Sequence, residues 1–143
     1  MKQAVRHLVS GFKPLNYRLE LSLDPEQMTF SGQVKISGNK LGRPSKRLVF
    51  HQKGLKFSSA TLTRHDKNGE QIIAVDRINT HSGYDEVRLH SVDLLFPGHY
   101  TVVIKFSGKI TDQMNGIYPC YFKHEGKEQK LLSTQFESHY ARN

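Results

Sequence analysis

Apolar and polar positions alternate along most of this chain. From Leu15 to Leu23, residues Leu15, Tyr17, Leu19, Leu21 and Leu23 hold one parity, while Asn16, Arg18, Glu20 and Ser22 hold the other. Strand side chains alternate between faces, so the pattern predicts a half-buried strand with one oily face. Asp24-Pro25-Glu26 breaks it as a turn, because proline presets φ and aspartate can cap the backbone that follows. Met28 to Ser37 returns with Met28, Phe30, Val34 and Ile36 on one parity, which completes an antiparallel hairpin. Gly32 stands in that apolar row, where a missing side chain points to a bulge or a close crossing.

Beyond a Gly/Pro/Lys loop (38–45), Arg47 to His51 carries Leu48, Val49 and Phe50, a run short enough for a buried strand. Phe57 to Arg64 sets Ala60 and Leu62 against Thr61 and Thr63. His65 to Gly69 reads as a hairpin turn, since Asn-Gly takes the positive φ that tight hairpins require, and Gln71 to Val75 is its return strand. Asp85 to His90 alternates again. Leu94 to Gly98 ends in a Pro-Gly turn, and His99 to Phe106 places Tyr100, Val102, Ile104 and Phe106 on one face. Ile117 to Phe122 and Lys130 to Phe136 close the series. No 3.6-residue period persists along the chain. The fold class is therefore all-β, an antiparallel β-sandwich or a saddle-like curved sheet.

With 143 residues the chain is the size of one domain. Its apolar residues are clustered, which argues for a folded core. No apolar run approaches the roughly 18 residues of a membrane span, and the start MKQAVRHLVSGF has neither the apolar stretch nor the cleavage site of a signal peptide. The single cysteine, Cys120, suits a reducing compartment, so a cytoplasmic location is expected. It reads as a small hydrophobe; a nucleophile would need a base and an oxyanion donor that no pattern supplies.

The net charge of +8 admits an acidic partner. The basic residues are scattered, however, and no ribonucleoprotein, helix-turn-helix or zinc-finger pattern accompanies them. Neither nucleic acid nor membrane is an expected partner. The 8 histidines are isolated, with His65, His81, His99 and His124 in or beside turns, where a solvated imidazole is the ordinary expectation. No H-E-x-x-H is present, and tetrahedral zinc needs three or four converging ligands. Nucleotide-binding glycine loops and the G-x-S-x-G elbow are also missing. One pair remains at the end of the chain. If Leu132 to Phe136 is a strand, Gln135 and Glu137 share a face, and an amide beside a carboxylate suits an ammonium group with adjacent peptide atoms. A plain polar outer face explains the same alternation.

That terminus also carries a resemblance. Thr134-Gln135-Phe136-Glu137 followed by Ala141-Arg142 resembles the T-Q-x-E…A-R segment of the aminopeptidase N and leukotriene hydrolase family of zinc peptidases. Pro14 to Leu23 resembles that family's P-x-x-Y-x-L-x-L strand, and Phe30 to Ile36 its F-x-G-x-V-x-I strand. Leu48 to Leu55, Leu95 to Tyr100, Phe106 to Ile110 and Gly116 to Tyr118 are similar to further elements, in order. The resemblance implies the family's amino-terminal β-domain, which caps one side of a catalytic zinc domain. It implies that Glu137 helps hold the free α-amino group of a peptide and that Gln135 lines the pocket for the first side chain. It leaves Arg142 a structural part. The G-x-M-E-N loop and the H-E-x-x-H helix do not occur in residues 1–143, which therefore read as a single, incomplete domain without the catalytic zinc domain. The expectation is a substrate-recognition and scaffolding domain, inactive alone, with no catalytic residue, metal ligand or cofactor of its own; zinc belongs to the catalytic domain. Expected partners are the peptide amino terminus and either the catalytic domain or a second copy, paired through an open sheet edge. The alternative is a stand-alone basic β-sandwich module for an acidic or protein partner; a minor third reading is an enzyme built on Cys120.

Overall fold

The computed structural model describes residues 6–138 and 140–142. The basic start as far as Val5, His139, Asn143 and the Arg142 side chain lie outside the described residues. Ten strands follow in order: β1 Phe12–Asp24, β2 Thr29–Lys40, β3 Ser45–His51, β4 Lys56–Asp66, β5 Gly69–Ile73, β6 Val75–His81, β7 Glu86–Leu95, β8 Gly98–Lys109, β9 Gly116–His124 and β10 Lys127–Gln135. They form a five-stranded sheet in the order β1-β2-β8-β4-β5, a three-stranded sheet β3-β7-β6 and a two-stranded ribbon β9-β10. Every pair is antiparallel, so the all-β architecture expected from the alternation is the one found.

The three-stranded sheet packs over the β4–β5 side of the larger sheet. Between them lie Ile36, Leu48, Leu62, Ile73, Val87, Leu89, Leu95, Tyr100, Val102 and Ile104. Tyr100 is fully buried, and its hydroxyl donates to the Phe96 carbonyl at 2.8 Å, so the phenol enters the core without an orphaned polar group. Phe12 and Phe50 seal one end edge-to-face at 5.4 Å.

Three local expectations are met with their chemistry visible. Asp24 accepts backbone N–H bonds from Glu26 and Gln27 and so fixes the β1–β2 turn. The β4–β5 hairpin turns on Lys67 and Asn68, with Gly69 at φ 116°. Gly32 is a close crossing: a Cβ there would lie 2.6 Å from the Glu20 carbonyl oxygen and 3.1 Å from the Phe106 ring.

Two features differ from the sequence reading. The oily row of β1 is not half-buried in the core. Leu15, Tyr17, Leu19, Leu21 and Leu23 are 41–59% exposed, because β1 is the edge of the large sheet and the small sheet lies over the opposite side. Strand β6 was hidden in the sequence. A register shift between Val75 and Arg77 makes Asp76 an extra residue, so the core-facing Val75 and Ile78 stand three apart and the period of two is lost.

One ionic network anchors the small sheet. The Glu86 carboxylate is fully enclosed. Arg6 donates to Oε1 through Nε at 3.0 Å and Nη2 at 2.8 Å, and Arg88 donates to Oε2 at 3.0–3.1 Å. Burial alone would push this carboxyl up, but the hydrogen bonds and charges of Arg6 and Arg88 outweigh it and hold the group below its ordinary 4.5.

Two predictions follow from this packing. Gly32→Ala will lower unfolding free energy by about 1–3 kcal/mol, the range for overpacking against unyielding backbone, measured by urea titration. For Glu86, the folded carboxyl binds its proton less readily than the unfolded one. Its contribution is therefore complete above about pH 4.5 and is lost as the pH falls through the lower folded value. Glu86→Gln will cost roughly 1–3 kcal/mol at pH 7, the scale of lost charged hydrogen bonds. The gap from wild type will narrow in acid; an equal gap at both ends of the pH series would refute the assignment.

Candidate functional site

The β9–β10 ribbon projects the two residues singled out in the sequence. Strand β10 pairs with β9 through Ser133 opposite Tyr118, Thr134 opposite Ile117 and Gln135 opposite Gly116, and ends there. Phe136 leaves the ladder, Glu137 and Ser138 form a turn, and the Tyr140 N–H closes on the Phe136 carbonyl at 3.0 Å. Gln135 and Glu137 are both exposed. Gln135 is the last residue of the strand, whereas Glu137 lies in the turn beyond it. The expected strand continuing through Phe136 is therefore not found: the ladder stops at Gln135, and Glu137 is placed by a turn.

The ribbon is tied to the main body at Lys130, whose Nζ donates to the Pro25 carbonyl and lies 3.8 Å from Met28 Sδ. Beside its Gly116 end opens a groove of about 840 Å³, with Lys53, Lys56 and Lys109 among its walls and Ser31 and Ser107 on adjacent strands. Asp24, the acid of this groove, is already engaged in capping the β1–β2 turn. The groove joins the outer face of the large sheet, where Lys35, Lys105 and Arg18 stand among serine and threonine residues. Sequence alternation marked these residues as polar but could not show that one end of the sheet gathers them around a concavity.

Cys120 sits in mid-β9 opposite Leu131 and is half-buried, the placement of a small packing residue. His65 and His99 do not fit the expectation of solvated turn histidines. They lie on paired strands with ring centroids 5.4 Å apart. His99 Nδ1 lies 3.0 Å from Asn39 Oδ1 and its Nε2 3.1 Å from the Ser37 hydroxyl; His65 Nε2 lies 2.8 Å from the Thr101 hydroxyl. Neighbours on adjacent strands thus occupy the imidazoles, and no sequence spacing could reveal a cross-strand pair. Among the described residues no three His, Cys, Asp or Glu side chains are placed to hold a metal ion. The zinc implied by the resemblance therefore finds no ligand set among the described residues.

Comparison with known proteins gives these features a common frame. The chain is 34% identical over 143 residues to aminopeptidase N of Lactococcus lactis subsp. lactis, a match covering 99% of this chain and 15% of that protein. It is 27% identical over 139 residues to aminopeptidase N of Lactobacillus helveticus. It is 26% identical over 133 residues to endoplasmic reticulum aminopeptidase 1 of Rattus norvegicus, covering 14% of that protein. The chain thus spans about one seventh of the length of these relatives. Residues 13–143 match the peptidase M1 N-terminal domain, and the chain belongs to that family.

Proposed function

We propose that this chain is the substrate-recognition and scaffolding domain of a zinc aminopeptidase that removes amino-terminal residues from peptides, and that it is inactive alone. The observation that carries this reading is the exposed Gln135–Glu137 pair at the end of a projecting ribbon. A carboxylate there can accept charge-assisted hydrogen bonds from a peptide ammonium, and the neighbouring amide can serve peptide atoms on either side. Hydrolysis also needs an activated water. Gln135 and Glu137 are suited to positioning an amine rather than to activating water, so we assign the chemistry to the catalytic zinc domain. We place the protein in the cytoplasm, in keeping with its single unpaired cysteine.

The β1 row supports the scaffolding part. Leu15, Leu19, Leu21 and Leu23 present a continuous apolar strip along an open sheet edge. Covering each such side chain is worth up to about 1.5–3 kcal/mol, and an unpaired edge offers a row of backbone hydrogen bonds. The catalytic part of the enzyme is the partner that fits; without it, a second copy takes the strip.

A second reading rests on the lysine-lined groove and the basic outer face, which suit an acidic partner. Polyanion binding that falls steeply with salt, alongside no rescue of peptidase activity, would favour this alternative.

The proposed role gives two expected outcomes. In an enzyme assembled from this chain and a separately produced catalytic part, Glu137→Ala will weaken transition-state binding of free-amine peptides by about 1.5–3 kcal/mol. Blocked peptides will be unaffected, and an unaltered preference for free over blocked termini would remove Glu137 from the role. For the isolated chain, Leu19→Lys will reduce self-association in sedimentation measurements, whereas a substitution on the opposite face of β1, such as Arg18→Ala, will leave it unchanged.

A further inference from the structure

We propose that the outer face of the three-stranded sheet is an oxyanion site that takes a phosphate group, separate from the β10 end and independent of its function. Strands β3, β7 and β6 set Arg47, His90 and Arg77 side by side in one row. The adjoining row holds Val49, Arg88 and Asn79. Both outer strands shift register at the first row, between Ser45 and Arg47 on β3 and between Val75 and Arg77 on β6. Such irregularities re-aim side chains. Beside this row opens a cavity of about 480 Å³ whose walls include Arg47, Arg88, Asn79, His81 and His90; Arg77 is not one of its walls but adjoins the wall residue Ile78 and faces Arg47 across His90 in the ladder.

The charges in and around this cavity do not balance. Arg88 is held by Glu86, but that carboxylate is shared with Arg6, so one negative charge serves two guanidiniums. Arg47 and Arg77 are exposed and add two more positive charges. Asp76, the acid beside this row, is the extra residue at the β6 irregularity. Burial first, then the charges of Arg77 and Arg47, depress the His90 pKa; Arg88 acts the same way and Asp76 opposes them. His81 adds a buried Nδ1 that has no hydrogen-bond partner among the described residues. Its ring is held against Tyr84 at 4.7 Å.

The ligand class follows from the spacing. Neighbouring strands lie about 4.8 Å apart, so Arg47 and Arg77 approach from positions roughly 10 Å apart on either side of His90. Guanidinium forks bind oxyanions in a planar, two-point geometry. A tetrahedral phosphate offers oxygens in several directions and can accept from both sides and from the floor together. A carboxylate offers two oxygens in one plane and would leave one side unanswered.

The test titrates the full chain with inorganic phosphate, against chloride at matched ionic strength, following the His90 ring signals by NMR. Phosphate is expected to give a saturable shift and to raise the His90 pKa, while chloride gives neither. The Arg47→Ala/Arg77→Ala chain is expected to bind phosphate at least about tenfold more weakly. Lys35→Ala/Lys105→Ala, which removes equal charge from the other sheet, is expected to change binding by less than about twofold, since screened charges beyond roughly 10 Å contribute little. All four side chains are exposed, so each is replaced without touching the core, and thermal unfolding checks that each variant is folded. A phosphoserine peptide forms a second arm. Tighter binding than inorganic phosphate assigns the site to a protein-borne group, and equal or weaker binding to free phosphate. A response that chloride reproduces, or phosphate affinity unchanged in the double arginine variant, overturns the proposal.

Discussion

An antiparallel sheet must shield its apolar face from water, and here that face is wider than the layer covering it. The five-stranded sheet carries apolar side chains from β1 to β5, while the three-stranded sheet lies over the β4–β5 side. Where the two overlap, Leu62, Leu89, Tyr100 and Val102 are completely buried. Toward β1 the same face continues without cover. The difference between a closed core and an open strip on one continuous face organises the molecule: one side provides stability, and the other provides a place for association.

The residues proposed to meet the substrate sit away from this packing. Gln135 and Glu137 occupy the end of a ribbon joined to the body at Lys130, and their side chains face water. Under the proposed reading, that exposure leaves a carboxylate and an amide free to meet a peptide amine. The arginine-lined cavity lies elsewhere, on the outer face of the small sheet, and depends on a different device: irregular edge strands around a central histidine. The two proposed sites thus belong to different sheets of one small protein.

Electrostatics reinforces the separation. Arg6 and Arg88 offset the cost of enclosing the Glu86 carboxylate, and by holding Arg88 it also fixes one wall of the cavity. The lysines of the large sheet's outer face are instead spread among hydroxyl side chains in successive rows. The same net charge therefore has two physical forms: a diffuse basic surface, and a compact cluster of guanidiniums.

The sequence by itself determined most of the strands and two of their pairings, β1 with β2 and β4 with β5. Period-two alternation needs only local sterics, and the Asp24 and Asn68-Gly69 turns bring their flanking strands together without help from the rest of the fold. Gly32 was legible for the same reason, as a gap in an apolar row. Glu137 and Gln135 stand out in the sequence through a motif, although the turn that carries Glu137 does not. Tertiary structure alone decided which side of the large sheet would be covered, and so that Leu15 to Leu23 would remain exposed. It also decided that Asp76 would be extruded from β6, that His65 would meet His99, and that Arg47, His90 and Arg77 would form one row. Each of these depends on pairing between residues distant in the chain, and alternation within one strand contains no information about which strand will lie beside it.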